Sequence, residues 1–229
     1  MTRLLVVSLT GASLAIVTPA RAQLCTGAAS FARRPWQLST AAAYNKDVKS
    51  FGGGLGLGGP GLFLQFTAGR TTYDVFDASS FDVGVGGGYE FDLDPEGVLH
   101  LCPLVSVMHG SGPNDVAVGP FVFDLSQNVV AVGLGIGAVT SRSSPTKIIP
   151  SGSFAMVITK AKATDNSSGQ SSTNSETFGL LEFGVGLLFS DVVSLRPNLD
   201  FTFGIDQSST TFGASMSVNF GRRVSHPKP

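Results

Sequence analysis

The chain has 229 residues, with 15 Lys and Arg against 16 Asp and Glu, a net charge of −1, and 14% charged residues, where soluble proteins average about 25%. This balance gives no electrostatic ground for a nucleic-acid partner, and the length suits one domain. Beyond the first residues no stretch is apolar for the ~20 residues a transmembrane helix needs, and 29 glycines with 17 phenylalanines suit short strands better than helices.

Residues 1–22 read as an export signal. Arg3 supplies the positive start, Leu4 to Val17 form an apolar run broken only by Ser, Thr and Gly, and Ala20-Arg21-Ala22 is a small-residue cleavage site. A helical anchor is the weaker reading, because the run falls short of a bilayer. Lipid anchoring at Cys25 is a lesser alternative, since Leu24 stands where a lipoprotein signal carries a small residue. The expected organisation is a signal peptide (1–22), a periplasmic N-terminal segment (23–34), a barrel (35–221) and a C-terminal tail (222–229).

Period-two alternation predicts ten strands, at residues 35–45, 48–58, 61–74, 80–92, 97–109, 127–140, 148–163, 176–190, 193–206 and 209–221. In the last, Phe212, Ala214, Met216, Val218 and Phe220 share one face, and Thr211, Gly213, Ser215, Ser217 and Asn219 share the other. The second face is polar but uncharged, as suits a crowded lumen with lipid on the opposite side. Trp36 and Tyr44 share a face of the first strand at the separation of two interfacial aromatic girdles. The fold class is therefore all-β, an antiparallel transmembrane β-barrel of about ten strands, with eight or twelve left open. Residues 116–124 also alternate, but an eleventh strand breaks the even count of bacterial barrels, so they are assigned to an external loop or extension.

Short connections at 58–61, 94–97, 141–147 and 190–193 read as periplasmic turns, the first two rich in Gly and Pro, and 73–80, 110–126 and 164–175 as external loops. The last of these is Ser/Thr/Asn-rich and is expected to be mobile and solvated. Glycines gather on the faces assigned to the lumen: Gly52, Gly54 and Gly56; Gly84, Gly86 and Gly88; Gly133, Gly135 and Gly137; Gly184 and Gly186. Such columns let strands bend and leave space for larger neighbours or a plug. A phosphate-cradling loop is the rival reading, but no helix start and no Lys-Ser/Thr follows Gly88. No cofactor motif is present.

Cys25 and Cys102 are the two cysteines of a chain bound for an oxidising compartment. Cys102 falls on the lumen face with His100 and Ser106, so a Cys25–Cys102 disulfide would tie residues 23–34 into the periplasmic mouth. Two unpaired buried thiols are the alternative.

The signal ending Ala20-Arg21-Ala22, the alternating strands, the SLRPNLDFTFGI segment from Ser194 and the closing FGASMSVNFG from Phe212 resemble the small-barrel, opacity-like class of bacterial outer-membrane proteins. The resemblance implies residence in the outer membrane, outer-membrane lipids as surroundings, and insertion by the barrel assembly machinery, which reads an aromatic-ended last strand; the tail beyond Phe220 departs from that signal. The class contains adhesins, lipid-modifying enzymes and narrow pores.

Lumen-facing charges are Asp82, Glu90, Asp92, Glu182, Arg196, Asp200 and Asp206, and Glu182, Arg196 and Asp200 are placed to form an ion-pair network that fills the lumen. His109-Gly110-Ser111 is the one catalytic candidate, similar to the His-x-Ser pair of outer-membrane lipid A deacylases. Gly112-Pro113 puts Ser111 in a turn, which works against a fixed dyad. His100 and His226 look too isolated for a metal site. The expectation is a non-enzymatic barrel with a structural or surface-interaction role. A narrow pore, an esterase using His109 and Ser111, and a soluble periplasmic ligand-binding barrel are the alternatives.

Overall fold

The computed structural model describes residues 24–29, 31, 34–59, 61–74, 77–118, 121–140, 144–190, 192–204 and 208–221. The expected signal peptide and C-terminal tail, with Asp206 and His226, lie outside these residues. The strands are β1 (Trp36–Tyr44), β2 (Val48–Gly58), β3 (Leu62–Tyr73), β4 (Ala78–Tyr89), β5 (Phe91–Asp92), β6 (Leu99–Ser111), β7 (Val116–Val118), β8 (Phe121–Ala138), β9 (Thr146–Asp165), β10 (Ser171–Phe189), β11 (Val193–Phe203) and β12 (Ser209–Phe220). All pairs are antiparallel. β1 pairs with both β2 and β12, and β6 with both β4 and β8, so ten strands close into a barrel with β5 and β7 as short accessories. Among the described residues closure gives each of the ten barrel strands a partner on both sides, which is what a strand protein needs in lipid.

The alternation of the sequence becomes an inside-out protein. Phe51, Leu62 and Phe81 face outward at 65%, 66% and 55% exposure, while Gln37, Gln65, Glu182 and Asn219 are among the most deeply buried side chains. A soluble ligand-binding barrel requires the opposite distribution. Each outward Leu, Phe or Val is worth about 1.5–3 kcal/mol when moved from water into an apolar surrounding, so lipid is the medium this surface fits. Register sets the aromatic girdles: Trp36 lies opposite Phe220 at one end, and Tyr44 opposite Phe212 at the other. Eight residues at ~3.3 Å span about 26 Å, close to the height of an outer-membrane apolar band.

Strand lengths divide the barrel. β8, β9 and β10 have 18, 20 and 19 residues, whereas β1 has 9 and β2 has 11. The extra length stands at the Tyr44 end. Val130 pairs with Ile158, both outward and apolar, but the next outward row, Asn128, Lys160 and Ser175, is polar on all three strands. Everything beyond that row rises above the lipid as a sheet, with β7 added at its edge through Val116↔Phe123. The expectation that 116–124 form an extension agrees with this hairpin, although β8 begins at Phe121 and not near residue 127.

The loop expected at 164–175 is a correction. It is a strand pair closed by a tight turn, with Ser171 opposite Thr164 and Thr173 opposite Lys162. Thr favours strands, and Ser and Asn, though commoner in turns, are carried here by a sheet wetted on both faces, so composition alone misreads the segment. Asp165 organises the turn. Its Oδ1 accepts the Ser167 backbone N–H at 2.9 Å and the Ser167 hydroxyl at 2.7 Å, and its Oδ2 accepts the Ser168 hydroxyl at 2.8 Å. The Ser167 hydroxyl first, then the Ser167 N–H and the Ser168 hydroxyl, hold this carboxyl below its ordinary range. A depressed folded pKa contributes order that is present above the unfolded value and lost as pH falls through the folded one. The Ser167 amide resonance should therefore hold its position until pH drops below about 4 and then shift as the turn loosens. Asp165→Asn should remove that step, and a wild-type turn with no response down to about pH 2 would count against the argument.

Candidate functional site: the plugged lumen

The mouth at the Trp36 end is filled by the N-terminal segment. Leu24–Thr26 form one 3-10 turn, and Cys25, Thr26, Ala28, Ala29 and Phe31 are buried inside the barrel. Cys25 and Cys102 form the expected disulfide, with 6.0 Å between Cα atoms. Phe31 stacks on Phe63 at 6.2 Å between ring centres, in a cluster with Leu104 and the disulfide. Ala29 packs separately with Val139, Ile149 and Leu188.

The glycine columns explain why the segment fits. A Cβ on Gly56 would come within 2.7 Å of Phe31 Cζ, one on Gly137 would overlap the Leu24 carbonyl, and one on Gly186 would overlap the Gly27 carbonyl. Those backbones are contact surfaces for the plug. Gly27 itself has a φ of 75°, in the left-handed region, and leaves space for the Arg196 side chain.

Polar lumen groups are tied to one another and to the plug. Gln37 Nε2 donates to Asn219 Oδ1 at 2.7 Å, Asn219 Nδ2 donates to the Ala29 carbonyl at 3.4 Å, and the Ser194 and Ser217 hydroxyls meet at 2.5 Å. Arg196 forms an ion pair with Glu182 and donates to Ser151 Oγ at 3.3 Å from Nη2. Asp200 lies directly opposite Glu182 in the β10–β11 register and accepts from Asn198 Nδ2 at 2.8 Å. Glu182, Arg196 and Asp200 are 1%, 6% and 5% exposed; the ion pair joins Arg196 to Glu182, and Asp200 lies beside them through the register. Ser151 and Asn198 carry no charge that marks them in the sequence, yet each hydrogen-bonds a member of this group. The alternation on their strands places them inward, but only register shows which charge each one serves.

The lumen is not uniformly polar. Val129, Ala131, Ala155, Val157, Phe178 and Leu180 form an apolar wall along β8 to β10, with Met108 against it. A cavity of about 20 Å³ lies between this wall, Phe63, Gln65 and Leu104, about the room one water molecule needs.

His109 and Ser111 do not make a dyad. Both point outward; His109 Nδ1 meets Asn128 Oδ1 at 2.9 Å, and the Ser111 hydroxyl donates to the Phe81 carbonyl at 3.3 Å. Ser111 ends β6 and is not in a turn, because Phe81 and Ser126 pair with it on either side. Asp82 is inward, accepting from the Thr71 hydroxyl at 2.9 Å, while Asp92 is mostly exposed at the rim. His100 is not isolated: β5 folds back on β6 and sets Asp92 opposite it.

Known barrel structures superpose on this chain. The beta domain of the Bordetella autotransporter BrkA matches with a TM-score of 0.50 and 15% identity, over 82% of this chain and 100% of that one. This is the fold of the bacterial outer-membrane β-barrels. The translocator domain of NalP from Neisseria meningitidis is similar at a TM-score of 0.47 and 12% identity, over 82% and 88% of the two chains. Ail of Yersinia pestis is similar at 0.45 and 14%, over 82% and 98%. No protein-family model and no curated protein sequence matches the chain. The apolar exterior of this outer-membrane barrel, bounded by Trp36 and Phe220 below and Tyr44 and Phe212 above, agrees with that membrane as its location.

Proposed function

We propose that the protein works at the cell surface as a sealed barrel, offering the raised sheet of β7 to β10 to an external partner and not serving as a conduit for solutes. The observation that carries this reading is the overshoot of β8, β9 and β10, which adds seven or more residues to each relative to β1 and β2. Extending three adjacent strands costs backbone entropy of about 1–2 kcal/mol per residue, and the extension adds nothing to the lipid belt, which ends at Val130 and Ile158. Its two faces differ. Lys160, Lys162 and Asp124 are on the outer side, and Phe123, Leu125 and Ala163 on the side continuous with the lumen. The plug supports the same reading, since a filled periplasmic mouth leaves the outer end as the accessible one.

A cysteine placed at Ser168 should react with a membrane-impermeant maleimide on intact cells. One at Ser144, in the turn at the opposite end, should react only after the outer membrane is permeabilised. Labelling in the reverse order would refute the orientation, and equal labelling of both on intact cells would refute a sealed surface protein.

A further inference from the structure

We infer that Glu90, Asp92 and His100 form a binding site for a divalent transition-metal cation of the zinc type at the periplasmic rim. The chain brings them together through one hairpin. Asp94 caps the turn after β5, its Oδ1 accepting the backbone N–H groups of Val98 at 2.9 Å and Leu99 at 2.6 Å, and Gly97 takes a φ of 57° to reverse the chain. That turn sets the register in which Asp92 faces His100, and Glu90, two residues earlier, lies on the same face.

The geometry is that of converging ligand atoms. His100 Nδ1 lies 2.9 Å from Asp92 Oδ1 and 3.5 Å from Glu90 Oε1, and the ligand atoms of all three residues fall within 4.8 Å of one another. Oxygen and nitrogen ligands about 2.0–2.2 Å from a tetrahedral zinc stand about 3.4 Å apart, so these separations bracket a shared cation. The second observation concerns the imidazole. His100 is 3% exposed, and among the described residues neither ring nitrogen makes a hydrogen bond, although two carboxylates lie at contact distance. Nδ1 therefore approaches the carboxylate oxygens without an N–H aligned to either. A lone pair and two carboxylate oxygens directed at one cation resolve what is otherwise a costly burial.

The donor set selects the cation class. One imidazole and two carboxylates suit zinc and its first-row neighbours, whereas magnesium and calcium favour oxygen alone. Asp92, with a side chain 66% exposed, leaves the fourth position open to water, while Glu90 is nearly enclosed at 9%. Glu90 Oε2 also accepts the Leu24 backbone N–H at 3.3 Å, so the loaded site ties the rim hairpin to the plug. Cys25 and Cys102 lie beside Glu90 but are joined to each other, which removes them as ligands in the oxidised protein.

The test uses the full-length mature chain, without an affinity tag and without reductant, refolded in detergent. Calorimetric titration with Zn²⁺ should show one equivalent bound, and Co²⁺ should give the visible absorption bands of a low-symmetry site. Asp92→Asn changes an exposed side chain and should leave heat-modifiable migration unchanged while weakening Zn²⁺ at least tenfold. His100→Gln should do the same, and His109→Ala and His226→Ala should bind as the wild type does. The proposal is overturned if the wild type binds no Zn²⁺, if Asp92→Asn binds it undiminished, or if Ca²⁺ binds more tightly than Zn²⁺.

Discussion

Arg196→Ala should cost the barrel about 3–5 kcal/mol, the range for removing one partner of a buried ion pair. The size follows from what is left behind. Glu182 is 1% exposed and is ion-paired to Arg196, so the variant takes that guanidinium away from a buried carboxylate that has Asp200 directly opposite it across β10 and β11. Reversible urea unfolding in lipid vesicles measures the loss, and the heat-modifiable band should convert at a lower temperature. Removing the charges together separates pairing from packing. Arg196→Met with Glu182→Leu should be much milder than Arg196→Ala alone, because apolar replacements of similar volume dispense with the desolvation cost of both charges. An Arg196→Ala barrel as stable as the wild type would mean the lumen is wet enough to solvate Glu182, and the packed-lumen account would fail.

Planar-bilayer recordings should find the wild-type protein silent and the Cys25→Ser, Cys102→Ser variant intermittently conducting. The plug is joined to β1 at one end and to β6 by the disulfide, 77 residues apart in sequence. Cutting the second tether leaves only non-covalent contacts to hold the segment in place. In the chain-entropy account, opening a loop of this length also removes about 4.5 kcal/mol of stability. Gly186→Val tests the same plug without touching sulfur, since its side chain would occupy the position of the Gly27 carbonyl. Both variants should conduct. A large steady conductance in the wild type, or silence in both variants, would show that the plug is not the barrier.

The parts of the site legible in the sequence are those governed by strand parity. Strand parity places Cys102, Glu182, Arg196 and Asp200 inward because side-chain direction alternates with a period of two, and all four are buried. The glycine columns are read as space for larger neighbours or a plug, and two cysteines in a chain bound for export lead to the expected Cys25–Cys102 bond, with unpaired thiols as the alternative. What parity could not supply was the neighbour. His109 and Ser111 look paired along the chain, yet cross-strand contacts direct one to Asn128 and the other to Phe81. His100 looks alone along the chain, yet the β5–β6 hairpin gives it Asp92 and Glu90.

The sequence by itself determined an inside-out, all-β chain. Outward phenylalanines and leucines alternating with mostly uncharged inward residues have one stable arrangement in lipid, and short turns force consecutive strands to run antiparallel. Tertiary structure decided the rest through register. A shift of two residues between strands keeps every side chain on its own face but changes every partner, so parity survives while pairing is undetermined. Register alone placed Glu182 against Asp200, carried β8 to β10 past the membrane as a raised sheet, and closed Asp92 onto His100. These pairings arise from the closed ladder as a whole, because each strand is aligned by both its neighbours and the barrel fixes all ten at once.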